Sequence, residues 1–272
     1  TAPFIIDSAS QLYGVASVLL TEGQTLGPDG ILKDVNRQTM PDPNRSESEN
    51  EKILKRVASY LAGAYYRITA DIDYTNYDSQ EKQGSVSLYP GIGTRTYPFS
   101  GTMDGRGHRI IVSGNGESGE ASTNLGLFGV IKGADIKNMI ITTPDGQCAN
   151  IMADGDSASY NGMVAAVAIG GDNIIDNVIV GGTVNITDGT GSETFTGADD
   201  VYVGGYLGCI EAGTVNLYNM PEDYVTNLTV TKNGVRVSSA DDHFAAICPY
   251  VLDGYLIYQG DDPTTTLVWE NN

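Results

Sequence analysis

The sequence predicts an all-β solenoid, a parallel β-helix with a helix covering its N-terminal end, on three observations. Beyond residue 65 the helical period disappears, and the chain breaks into short β-type runs ended by Gly, Asn or Asp. An Asn ahead of an apolar triplet returns as NMII at 138, NVIV at 177 and NLTV at 227. Gly/Ala-spaced apolar runs return too, as LGLFGVI from 125, NGMVAAVAI from 161, VGGYLGCI from 203 and FAAICPYV from 244, about 40 residues apart. ADDVYVGGYLGC from 198 and ADDHFAAICPY from 240 match at a similar offset.

A unit of this length cannot bury its own apolar face, so neighbouring units must stack and share one continuous core. Gly permits positive φ at the corners, and Asn tolerates it while its amide bonds to its counterpart on the next coil. We therefore expect one domain over 1–272, with residues 1–63 as an N-terminal cap carrying a helical insert and residues 64–272 as the coils.

Both helices precede residue 65. In DSASQLYGVASVLL, Ser8 and Gln11 have capping-box spacing, and Leu12, Val15, Ala16 and Leu19 fall on one helical face. Residues 21–45, rich in Gly, Pro, Asp and Asn, read as a surface excursion. In SESENEKILKRVASYLA, Ser46 and Glu49 repeat the capping box, Glu51 and Lys55 form an i,i+4 pair, and Ile53, Leu54, Val57 and Leu61 share a face. A helix packed on the first coil would cover its unpaired backbone and core.

The totals narrow the partners. A chain of 272 residues with 40% apolar residues has a real core. Its 15 basic against 34 acidic residues give a charge of −19, which repels phosphate backbones and anionic headgroups. No apolar run approaches the roughly 20 residues that cross a bilayer. The N-terminus lacks a basic n-region and a long h-region, so either the chain is cytosolic or a signal has been removed. Cys148, Cys209 and Cys248 are too few and dispersed for a disulfide framework or a CxxC metal site. Cys209 and Cys248, at similar places in successive apolar strands, read most simply as small buried hydrophobes.

Four segments in order, PFIIDSASQL, YYRITADIDYTN, GTRTYPFSGTMDGRGHRI and the GLFG…IKNM block, resemble bacterial proteins with GLUG-motif repeats. Gly126, Leu127, Phe128 and Gly129 match the repeat core, and Gly204, Gly205, Leu207 and Gly208 match it loosely. The likeness covers residues 3–20 and 64 to about 235. It implies a right-handed β-helix in secreted or cell-surface proteins, as a monomeric module of a longer chain, with adhesion as the usual role. It carries over no catalytic residue, and residues 21–63 and the last coil depart from it.

Several groups invite a chemical reading. A hydrolase on this fold needs clustered aspartates with a nearby His, and Asp188 and Asp199 sit closer together along the chain than one coil. A lyase needs a Ca²⁺-binding carboxylate cluster facing a base, but Lys132, Lys137, Lys232 and Arg236 share no register with the carboxylates. Asp199, Asp200, Asp241 and Asp242, at the offset of the ADD match, would stack as a solvated acidic corner or share a Ca²⁺ ion. His108 between Asp104 and Arg109 reads as part of a turn, and Asp71 and Asp73 as positions on a half-buried strand. Tyr65, Tyr66, Tyr74, Tyr77, Tyr89 and Tyr97 gather in the N-terminal half, and Tyr74, Tyr77, Tyr89 and Tyr97 are the candidates for a sugar platform. The expectation is a non-catalytic adhesin-like module that binds a host or environmental glycan or protein, needing no cofactor beyond a Ca²⁺ ion. A polysaccharide lyase or hydrolase on the same fold, or a passive stalk, is the alternative.

Overall fold

The recurring apolar runs lie side by side in the computed structural model, which describes residues 2–20, 25–26, 32–33, 42–73, 91–112, 126–145, 148–152, 159–187, 201–220, 228–232, 235–236, 244–259 and 266–269. Phe128 stands opposite Ala165, Ala165 opposite Leu207, and Cys209 opposite Tyr250, all in parallel pairs. A second column runs from Tyr65 to Thr102, Asp135, Ile174, Asn216 and Ile257, each one coil beyond the last. The main sheet follows chain order from Phe4–Ile6 through Tyr65–Ile68, Thr102–Asp104, Asp135–Thr142, Ala165–Thr187 and Leu207–Tyr218 to Tyr250–Gln259, so each strand belongs to the next rung. Ser159–Gly162, Val201–Gly204 and Phe244–Ala245 form a second parallel sheet. The fold is thus largely β, with parallel strands stacked rung on rung. Among the described residues, Thr266–Trp269 closes the far end of the main sheet with an antiparallel pair.

Corners repeat with the rungs. Gly133, Gly171 and Gly213 turn one corner with φ of 68°, 69° and 84°. Asn138, Asn177 and Asn219 turn the next with φ of 55°, 51° and 49°, a region that most side chains avoid and Asn tolerates. Their amides bind along the stack: Asn177 Nδ2 donates to Asn138 Oδ1 at 3.0 Å, Asn138 Nδ2 to Asp104 Oδ1 at 3.2 Å, and Asn219 Nδ2 to Asp176 Oδ1 at 2.7 Å. Asn138 and Asn177 make the expected bond between counterparts, and Asn219 stands at the same corner one rung on but donates to Asp176. Asn227 of NLTV lies outside the described residues, while Leu228 pairs with Gly182, at a later position on the coil than the NMII and NVIV runs, which pair with each other. An apolar triplet after Asn was too weak a marker, because what the corner selects is the left-handed backbone.

The Gly of the repeat core marks close approach between rungs. A Cβ on Gly126 would stand 2.7 Å from the Gly162 carbonyl oxygen, and one on Gly129 2.7 Å from that of Gly93. Inside, a single apolar cluster runs from Ile6 to Leu256. Phe99 and Phe128 meet in it as tilted rings at 4.8 Å, and Tyr66 follows Phe99 at 6.1 Å. Buried Asn173 is satisfied within its rung and across to both neighbours: it accepts from the Ala134 N–H and donates to the Gly170 and Thr214 carbonyls.

At the near end, Phe4–Ile6 pairs with Tyr65–Ile68, so the chain leaves this sheet and returns to it after two helices. Helix α1, Ala9–Leu20, buries Leu12, Ala16 and Leu19 fully in the shared core, with Val15 packed against it. Its Gln11 reaches one residue further back than the capping box requires and accepts from the Asp7 N–H at 2.7 Å. Helix α2, Glu47–Ala62, has the expected box, with Ser46 accepting from the Glu49 N–H and Glu49 from the Ser46 N–H. Its inward face is turned from the expected one: Val57, Ala58 and Ala62 are buried, while Ile53 and Leu54 are half-buried. Among the described residues, no helix is long and apolar enough to cross a membrane.

Candidate functional site: a tyrosine-lined corner

Strand alternation builds the first part of the site. In Ser159–Gly162 the side chains of Ser159 and Asn161 are buried and Tyr160 is half-buried; in Val201–Gly204, Val201 and Val203 are buried and Tyr202 is half-buried. Tyr160 and Tyr202 are register partners, so two outward rings stand one rung apart. The main sheet supplies the other wall. Ala165 and Ala168 face the central core, whereas Ala166, Val167 and Cys209 form a separate buried cluster against which Tyr160, Ile169 and Tyr250 pack. Outward side chains of two sheets touch only where the sheets meet at an inward angle, so this cluster fills a corner on the outer surface.

Three tyrosines line it. Tyr160 and Tyr202 stack at 5.4 Å with 22° between ring planes, and Tyr250 lies 5.5 Å from Tyr160 and 5.0 Å from Tyr202. Beside them Arg95 binds Glu211 in a two-pronged ion pair, with Nη1 donating to Oε2 at 2.8 Å and Nη2 to Oε1 at 2.5 Å. Arg95 sits at the tip of a turn closed by the Thr94 N–H on the Tyr97 carbonyl and the Tyr97 N–H on Thr94 Oγ1. Glu211 follows Cys209 closely on the neighbouring strand. The guanidinium holds the Glu211 carboxyl below the usual carboxylate range. Burial pushes the Tyr160 phenol and the Cys209 thiol each up to about 12. At neutral pH the Tyr160 phenol and the Cys209 thiol therefore keep their protons and the Glu211 carboxylate is paired, an arrangement that suits hydrogen bonding and ring contact.

The other sequence candidates fall elsewhere. Tyr97 is 8% exposed and belongs to the central core, so its ring is not an open platform. Tyr74, Tyr77 and Tyr89, like Asp199, Asp200, Asp241 and Asp242, lie outside the described residues. Among the described residues, no group of three or more His, Cys, Asp and Glu side chains is placed to hold a metal ion. Asp104, His108 and Arg109 form the expected turn: Asp104 accepts from the Arg106 N–H, and Asp71 accepts from the Arg109 N–H and lies 3.1 Å from His108 Nδ1. Cys209 and Cys248 are unbonded. Cys209 is buried in the outer cluster, and the Cys248 thiol, pushed up to about 12 by burial, donates to the Tyr250 carbonyl. A separate open hollow of about 510 Å³ lies beside the Arg109–Asp145 ion pair, over Ile140 and Ile179.

Reading the sequence alone missed Tyr160, Tyr202 and Tyr250. The available signal was that SYNG at 159 and VYVG at 201 set Tyr160 and Tyr202 at the same offset as the ADD match. The Arg95–Glu211 pair, 116 residues apart, carries no such signal.

The chain matched no family model, no curated protein and no solved structure.

Proposed function

We propose that this chain is a right-handed parallel β-helix of the GLUG-repeat kind, and that it acts as a non-catalytic adhesin-like module that holds a glycan at the tyrosine-lined corner. The regular parallel pairing of one coil with the next supports the helix, and the strong preference of parallel crossovers for the right hand supports its sense. The GLUG likeness rests on Gly126, Leu127, Phe128 and Gly129, and it points to a secreted or surface-displayed monomeric module within a longer bacterial chain. The observation that carries the binding role is the meeting of Tyr160, Tyr202 and Tyr250 in one half-buried outer corner beside a charged pair. Aromatic rings contact the C–H faces of pyranoses, and phenol hydroxyls exchange hydrogen bonds with sugar hydroxyls.

Glycoside hydrolysis needs two carboxyl groups flanking the bond, one of them protonated. Among the described residues, the carboxyl beside the rings, Glu211, is committed to Arg95 and held in its charged form, which supports binding over cleavage. The test is a glycan array probed with the native protein and with Tyr202→Ala, with every bound glycan then incubated and its length measured. The expected result is binding that Tyr202→Ala abolishes and glycans that stay intact. Shortened glycans would replace the binding role with an enzymatic one, and silence on the whole array would leave a stalk.

A further inference from the structure

A glycan-binding corner must also discriminate among glycans by charge, and the Arg95–Glu211 pair bears on that choice. An exposed arginine is the usual receptor for a sugar carboxylate or sulfate, because its planar fork matches two oxygens at once. Here Nη1 and Nη2 each give one N–H to Glu211, at 2.8 Å and 2.5 Å, so the two-pronged edge of the fork and its charge are engaged. The Glu211 side chain is only 26% exposed, so an acidic sugar that took Arg95 would leave a partly buried carboxylate without its partner. Among the described residues, the Tyr160 phenol and the Cys209 thiol stand close enough to act on Arg95, and burial holds both in their protonated, uncharged forms. The surrounding chain carries a charge of −19, which adds a long-range repulsion of anions that salt screens.

We propose that the corner selects neutral glycans over acidic ones, and that Glu211 sets this selectivity by occupying Arg95. The inference rests on the glycan-binding reading of the same corner. Glu211 is a specificity determinant that acts through Arg95: the arginine side chain stays 61% exposed, but Glu211 neutralises its charge, which would otherwise attract a uronate.

The experiment measures binding of the purified protein to neutral hexasaccharides of β-1,4-glucan, β-1,4-mannan and β-1,4-galactan and to the oligogalacturonate hexamer, at low and high salt. The native protein, Glu211→Gln and the double variant Arg95→Gln/Glu211→Gln are compared, each checked for a native circular-dichroism spectrum. The native protein is expected to bind at least one neutral hexasaccharide about tenfold or more tighter than oligogalacturonate, a gap of the size that one well-formed charged interaction sets. Glu211→Gln is expected to narrow that ratio about tenfold at low salt, and the double variant to restore it. If Glu211→Gln proves unstable, Glu211→Ala carries the same ratio test. A native preference for oligogalacturonate, or a ratio unmoved by Glu211→Gln in a folded protein, overturns the selectivity while leaving glycan binding in place. Failure to bind any of the four, together with silence on the glycan array, overturns the glycan reading itself and the selectivity with it.

Discussion

Two columns of identical residues climb this molecule, and they are kept by different forces. Asn138, Asn177 and Asn219 stand at a corner where φ runs from 49° to 55°, so the backbone itself demands a residue that tolerates the left-handed region. Tyr160 and Tyr202, with Tyr250 across from them, stand on ordinary strands where any β-forming residue would keep the ladder intact. The Asn column is explained by the fold alone. The Tyr column is permitted by the fold but not required by it, so its recurrence asks for a reason other than the backbone. In a stacked architecture, repetition therefore signals function only where the backbone does not already impose it.

The largest effect should come from the core that both columns enclose. Phe128→Ala, which removes a fully buried ring packed at a tilt against Phe99, should cost about 3–5 kcal/mol in urea unfolding, and a loss near zero would show that the rungs do not share one core. Asn177→Ala should cost about 2–3 kcal/mol, from the left-handed backbone and the lost bond to Asn138 together. Asn177→Gly should recover the conformational part. Equal losses in the two variants would shift the explanation from the backbone to the hydrogen bond.

Alkali should sharpen the contrast between the two sides of the main sheet, because Cys209 lies in the outer cluster and Cys248 packs against the central core. Burial raises both thiols from an ordinary 9.0 to about 12. Their contribution is complete below pH 9 and is lost as pH rises from 9 toward about 12, by up to about 1.4 kcal/mol per pH unit for each thiol. Unfolding midpoints followed from about pH 8 to 11 should fall, and Cys209→Ala should flatten the slope; a slope unchanged by that variant would remove Cys209 as its source. Tyr202→Ala should cost only about 1 kcal/mol of stability, the worth of its ring contacts, while abolishing glycan binding. A loss as large as that of Phe128→Ala would move the Tyr column to the structural side. Ser46→Ala, remote from both columns, should cost about 1 kcal/mol through the helix cap, measurable as a small shift in thermal unfolding.

Much of the architecture was legible because its causes are local. The regular return of apolar runs along the chain anticipated the regular steps between Thr102, Asp135, Ile174, Asn216 and Ile257 in the sheet. The capping box at Ser46 and the left-handed Asn at 138 and 177 depend on one or a few adjacent residues, so their chemistry stands in the sequence itself. On α2 the expected Val57 and Leu61 do pack on the core, but Ala58 and Ala62 are buried more fully than Ile53 and Leu54, which the apolar spacing alone did not indicate. Tyr97 resembled the other N-terminal tyrosines by composition, yet its place in the core depends on which strand passes over it.

The sequence by itself determined the period, the parallel stacking that a self-incomplete unit must adopt, and the residues that turn the corners, since each follows from spacing or from backbone allowance. Only the tertiary structure decided which tyrosines meet and what stands beside them. Arg95 and Glu211 are 116 residues apart, and their contact depends on the direction in which one turn projects across the rungs. That direction is a sum over every corner between them, so no local pattern encodes it.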